Sequence, residues 1–191
     1  NSIIIFTSDH GDALGDHGHI QKWTMYDCCT RVPLIIRFPE KFQKNKKIDA
    51  LIQQMDLAPA LLQLAGIEVP QHWDANSILP LLTGETTAGR EYVFAEHGKD
   101  WAEEVFTGTD LMTMVRSKKW KLVHYLGENF GELYNLEKDS EEKNNLWDNP
   151  KYKNKKNELL QKLREWRMKS EYRAAPSVFN RDLSQKTPLR K

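Results

Sequence analysis

The chain is poor in cysteine. Only Cys28 and Cys29 among its 191 residues carry a thiol, and they are neighbours. Adjacent cysteines rarely bond each other, and without a third one an intrachain disulfide framework is excluded. They read as two small buried apolar residues at the end of a helix or strand. A nucleophilic thiol would need a base or a cation beside it. Nor is there an excess of charge: 28 lysines and arginines against 27 aspartates and glutamates leave a formal net charge of +1. That balance gives no global electrostatic case for nucleic acid or a membrane surface as partner. No apolar run approaches the length of a transmembrane helix. Internal repeats and low-complexity segments are also lacking, and Asn1-Ser2-Ile3 is neither a start methionine nor a signal peptide. A sequence that opens almost directly on a core strand reads as the later part of something longer. Localisation and oligomeric state stay open.

What is present is organised around Ile3-Ile4-Ile5-Phe6-Thr7-Ser8-Asp9-His10-Gly11. Four bulky apolar residues in a row predict a short strand buried on both faces, as inside a parallel sheet. An acid and an imidazole at the carboxyl end of such a strand stand where open α/β sheets bind ligands and metals. Successive strand side chains point to opposite faces, so Asp9 and His10 can converge only where the strand has already turned. Gly11 is expected to supply the freedom for that turn.

Residues 11–20 form a glycine-punctuated loop rich in acid and imidazole. Its His17 and His19 are candidates for a cleft or for turn roles. Val32 to Pro39 reads as a second strand bounded by prolines. Asp56 is expected to cap a helix with Pro59 in its first turn, Leu57, Leu61, Leu62 and Leu64 on its buried side, and Gly66 as its stop. A short helix over about 77–82 ends at Gly84. The polar stretch 84–90 suggests a division into residues 1–88 and 89–175, with an extended tail over 176–191. Beyond the division, strands are predicted at 92–95, 111–115, 120–125 and 133–136, the middle two joined as a hairpin by Ser117-Lys118-Lys119. Residues 139–145 read as a charged loop. Leu159, Leu163, Trp166 and Ser170 have helical spacing over about 150–172, with Lys151, Lys153, Lys155 and Lys156 on a solvated face. His72 and His124 read as structural.

Taken in order, Thr7-Ser8-Asp9-His10-Gly11-Asp12, Leu14-Gly15-Asp16-His17-Gly18, Lys22 and Arg31-Val32-Pro33-Leu34-Ile35 closely resemble the second half of type I sulfatases. Those enzymes belong to the alkaline-phosphatase-like superfamily. Met55 to Leu62 with Gly66 resembles one of their helices. Met114 to Leu122 and Glu132 to Leu136 resemble their C-terminal subdomain. The resemblance implies an α/β fold: the C-terminal part of a mixed sheet with flanking helices, then a small subdomain of antiparallel strands and a terminal helix.

The resemblance also implies roles. Asp9 and His10 match the positions that bind the divalent metal, usually calcium, and Lys22 matches the lysine that contacts the sulfate and its bridging oxygen. The chemistry agrees, because a hard cation takes carboxylate oxygen and an ammonium offsets charge on a leaving oxygen. A histidine ligand also leaves manganese or zinc open. His97, at a strand end, is a candidate for the sugar or aryl pocket. The family's nucleophile is a formylglycine made from Cys or Ser in a C/S-x-P-S-R motif near the N-terminus. Cys28-Cys29-Thr30-Arg31 lacks its proline and serine. The expectation is therefore the C-terminal portion of a sulfuric ester hydrolase, inactive alone, whose partners are a sulfated small molecule or sugar and the N-terminal part of the same protein. The alternatives are a phosphonate monoester or phosphodiester hydrolase of the same superfamily, or a non-catalytic accessory fragment.

Overall fold

The computed structural model describes residues 2–98 and 110–174. The expected tail over 176–191 lies outside them. β1 (Ile4–Thr7) pairs with β2 (Leu34–Arg37), from Ile4 opposite Arg37 to Thr7 opposite Leu34. The pairing is antiparallel, because the chain between them returns to the end of β1 it left. Burial on both faces is corrected as well. Ile5 and Ile36 share one face and meet Leu57, Ala60 and Leu64. Ile4, Phe6 and Ile35 share the other and are 54%, 60% and 63% exposed. A run of four apolar residues suits both faces of a sheet, and α2 covers only one.

The helix α1 (Asp27–Thr30) comes just before β2 and holds both cysteines. α2 (Leu57–Leu64) packs through Pro59 and Ala60, while Leu61 is exposed. Leu57 and Leu64 also face β1 and β2, so of the expected leucines Leu61 is the exposed one. The expected cap is corrected too: Asp56 gives α2 no side-chain hydrogen bond. A 3-10 turn (Gln54–Asp56) precedes α2, so the backbone is already helical at Asp56. Its buried carboxylate instead accepts the Gln53 and Asn76 N–H groups at 2.8 and 2.7 Å, Arg90 Nε at 2.7 Å, and Arg90 Nη2. Arg90, from the polar stretch 84–90, thus turns inward. α3 (Leu79–Thr83) ends at Gly84, whose φ of 89° is left-handed as a glycine stop requires.

The second sheet is an antiparallel meander of β3 (Val93–Gly98), β4 (Leu111–Arg116), β5 (Trp120–Tyr125) and β6 (Gly131–Asn135), with β4 and β5 joined as the expected hairpin. One face buries Val115, Leu122 and Leu133 against Trp147 and against Leu159 and Leu163 of α4 (Lys153–Ala174). The other buries Met112, Met114 and Val123 against Met25. The lysine run on α4 is only partly a solvated face. Lys156 Nζ donates to the Trp147 carbonyl at 2.8 Å and lies 4.4 Å from the centre of its ring.

Candidate functional site

β1 stops at Thr7, and the next three residues form a turn held from several sides. Ser8 Oγ donates to the His10 carbonyl at 2.7 Å, and Gln54 Nε2 donates to the Ser8 carbonyl at 2.7 Å. Asp9 Oδ1 accepts the His10 N–H at 3.0 Å. His10 Nδ1 lies 2.7 Å from the Gly11 carbonyl oxygen. A carbonyl only accepts, so Nδ1 carries a hydrogen, and in the neutral ring Nε2 then presents its lone pair. That nitrogen sits 3.5 Å from Asp9 Oδ2, so the two side chains converge once the strand has turned. The Asp9 carboxyl is held below the usual range, first by the hydrogen bond it accepts from the His10 backbone N–H.

Gly11 is needed here for a different reason from the one expected. A Cβ on it would stand 1.9 Å from the Cys28 carbonyl oxygen, and its N–H donates to the Cys29 carbonyl at 2.8 Å. Close backbone approach, not turn freedom, excludes a side chain. Downstream, Asp12 Oδ1 ties the loop together by accepting the Leu14 and Gln21 N–H groups at 2.9 and 3.1 Å.

The donor pair suits a divalent cation. Two ligands at about 2.4 Å from calcium and about a right angle apart stand about 3.4 Å from each other, close to the 3.5 Å between Asp9 Oδ2 and His10 Nε2. Among the described residues no three His, Cys, Asp or Glu side chains converge as a metal site. Asp9 and His10 therefore form a part of a coordination shell. Lys22 and His97 line the same broad cleft as this pair, about 1790 Å³ in volume. Lys22 Nζ lies 5.5 Å from the centre of the Trp23 ring, and the Trp23 and His97 rings meet at 5.6 Å with a 50° tilt. His17 and His19 do not line that cleft. His17 stacks on Tyr26 at 3.7 Å within a left-handed turn. Cys29 is buried, and burial first, then the neighbouring Cys29 sulfur, push the Cys28 thiol up to about 11. Neither is poised as a nucleophile.

Several residues escaped the sequence. Trp23 follows Lys22 directly, and an aromatic next to a candidate site lysine was the available signal. A second omission is a charged cluster beneath α1. Lys121, with no exposed side-chain surface, places Nζ 2.6 Å from Asp27 Oδ1, 2.5 Å from Glu142 Oε1 and 2.8 Å from the Met25 carbonyl. Arg116 adds bonds of 3.2 and 3.0 Å to the same aspartate. Burial pushes the Asp27 carboxyl up, but Lys121 and Arg116 outweigh it and hold it below its ordinary range.

The described architecture is that of the C-terminal part of an alkaline-phosphatase-like sulfatase, as its structural neighbours show. A solved structure bound to its substrate D-glucosamine-2-N,6-O-disulfate superposes with a TM-score of 0.79 at 30% identity, over 94% of this chain and 36% of that one. The phosphonate monoester hydrolase of Agrobacterium radiobacter superposes with a TM-score of 0.78 at 29% identity, over 88% of this chain and 35% of that one. In sequence, the Delta 4,5-hexuronate-2-O-sulfatase of Bacteroides thetaiotaomicron is 38% identical over 80% of this chain and 32% of its own length. The N-acetylglucosamine-6-O-sulfatase of the same organism is 32% identical over 86% of this chain and 30% of its own length. The chain thus spans about a third of the length of these relatives. Residues 15–169 match the family model "N-sulphoglucosamine sulphohydrolase, C-terminal", and the chain belongs to that family.

Proposed function

We propose that this chain is the C-terminal portion of a sulfuric ester hydrolase that cleaves a sulfate monoester on a small molecule or sugar. What supports the reading is the Asp9–His10 donor pair, 3.5 Å apart and lining one cleft with Lys22, in a chain whose relatives are named as sulfatases. Asp9 Oδ2 and His10 Nε2 hold a divalent metal, calcium first, with manganese or zinc as the alternatives an imidazole ligand admits. When bound, that metal supplies Lewis-acid polarisation of the sulfate oxygens. The remaining ligands and a formylglycine nucleophile belong to residues outside this sequence, in the N-terminal part of the same protein. The uncovered face of Ile4, Phe6 and Ile35 is where that part would pack.

Lys22 brings its ammonium to the sulfate and the bridging oxygen, where negative charge grows as the ester bond breaks. Trp23 and His97 wall the cleft beside it and receive the part of the substrate that carries the sulfate. The second reading, a phosphonate monoester hydrolase, draws on the likeness to the Agrobacterium enzyme. The test is the full-length protein assayed on an aryl sulfate and an aryl phosphonate monoester. Sulfate turnover is expected to dominate, and Lys22→Ala to lower kcat about 10²–10³-fold with little change in stability. Asp9→Ala should lose metal and turnover together. An unchanged kcat for Lys22→Ala removes that residue from the site, dominant phosphonate turnover favours the second reading, and no turnover on either favours a non-catalytic fragment.

A further inference from the structure

We infer that the buried cluster of Asp27, Lys121 and Glu142 is a positioning device for the His10 imidazole, set in the second sheet and acting through α1. The purpose of the device rests on the metal reading of His10; its geometry does not.

A four-residue helix cannot hold itself in place, because it makes too few internal bonds to offset its nucleation cost. Something outside α1 (Asp27–Thr30) must fix it, and its first residue is gripped at both ends. The Asp27 carboxylate receives Lys121 Nζ at 2.6 Å and Arg116 Nη2 at 3.0 Å. The Asp27 backbone N–H donates to Glu142 Oε2 at 2.6 Å. Glu142 Oε1 in turn meets Lys121 Nζ at 2.5 Å. Two cations and two carboxylates close the cluster with no net charge. Each buried charge needs its partners, so the set is stiff.

α1 passes that position on. Its Cys29 carbonyl accepts the Gly11 N–H at 2.8 Å, and its Cys28 carbonyl lies so close to Gly11 that no Cβ fits between them. The Gly11 carbonyl then accepts His10 Nδ1–H at 2.7 Å. That last bond fixes the tautomer and turns Nε2 toward Asp9 Oδ2. The path from Lys121 to the ring runs through hydrogen bonds and one short helix, and it crosses from the second sheet to the loop after β1.

The test compares Asp27→Asn and Glu142→Gln with Leu163→Ala in the full-length chain freed of metal by chelation. Leu163→Ala opens a cavity on the opposite face of the second sheet and so controls for lost stability. Two quantities are read at temperatures giving the same folded fraction: the ¹⁵N shifts of the His10 ring, and deuterium uptake by the peptide covering residues 8–14. In both cluster variants the ring is expected to become a mixture of tautomers, and exchange at Gly11 to quicken by about tenfold or more. Leu163→Ala should leave both as in the parent. The inference is overturned if the cluster variants keep the parent ring and exchange, or if the control changes them equally. Should Asp27→Asn not fold, Glu142→Gln alone decides. Neither readout needs substrate, so a failed sulfatase reading would appear in the turnover assays and leave this result standing.

Discussion

The two sheets of this chain have similar apolar runs and different surroundings. β3 to β6 are covered on one face by α4 and Trp147 and on the other by Met25 and its neighbours. β1 and β2 are covered on one face by α2, while Ile4, Phe6 and Ile35 stand open on the other. The contrast shows that an apolar side chain in a strand declares what the strand can bury, and that the cover decides what it does bury. It also separates two kinds of anchor. The second sheet is held by close-packed side chains and a neutral ion cluster, whereas the loop after β1 is held by hydrogen bonds to its neighbours.

The second sheet is most vulnerable at Lys121. Lys121→Met removes the cation paired with Glu142 and leaves Asp27 with Arg116, and should cost about 3–5 kcal/mol in denaturant unfolding. A loss under about 1 kcal/mol would mean that water reaches the cluster. Next comes Leu122→Ala, a fully buried side chain between the meander and α4, expected to cost about 2–5 kcal/mol. Phe6→Ser on the open face should change the stability of the 191-residue chain alone by no more than about 0.5 kcal/mol. The same change in the full-length protein should cost several times as much if the N-terminal part packs there, and an equal effect in both would leave that face uncovered. Acid gives the finest discrimination. The Asp27 carboxyl is held below its ordinary value of 3.8 by Lys121 and Arg116, against the push of burial. Its stabilisation is therefore present above that value and is lost as pH falls through the lowered one. Asp27→Asn should be less stable at neutral pH and should lose less on acidification below about pH 4. A parallel acid limb in variant and parent would remove Asp27 from the acid response.

Much of this was legible. The four strands, the hairpin between the middle two and the terminal helix followed from short apolar runs divided by turns and from helical spacing, because their buried residues are apolar. The turn joining Asp9 to His10 followed from the abrupt end of the apolar run. What the sequence hid were charges used inward. Lys121 alternates with Val123 on one face of β5, yet a lysine in a strand reads as solvated until Asp27, 94 residues away, is seen to meet it. Glu142 sits in a stretch of charge that reads as a loop, and it is buried there with a φ of 56°. Asp56 carries every local mark of a helix cap, and Arg90 takes its carboxylate instead. The open face of β1 was illegible for a simpler reason, since four apolar residues look the same whether or not something covers them.

Lys121 also bears on how such a protein can be reshuffled. The antiparallel sheet and its helix look like a unit that could be moved whole onto another scaffold. Yet β5 carries a cation whose aspartate is supplied from before β2, so a transplanted copy would keep Lys121 and Arg116 with Glu142 and a surplus of positive charge in its core. Inheritance of this subdomain is therefore tied to inheritance of the Asp27 segment, and exchange between lineages should carry both or fail.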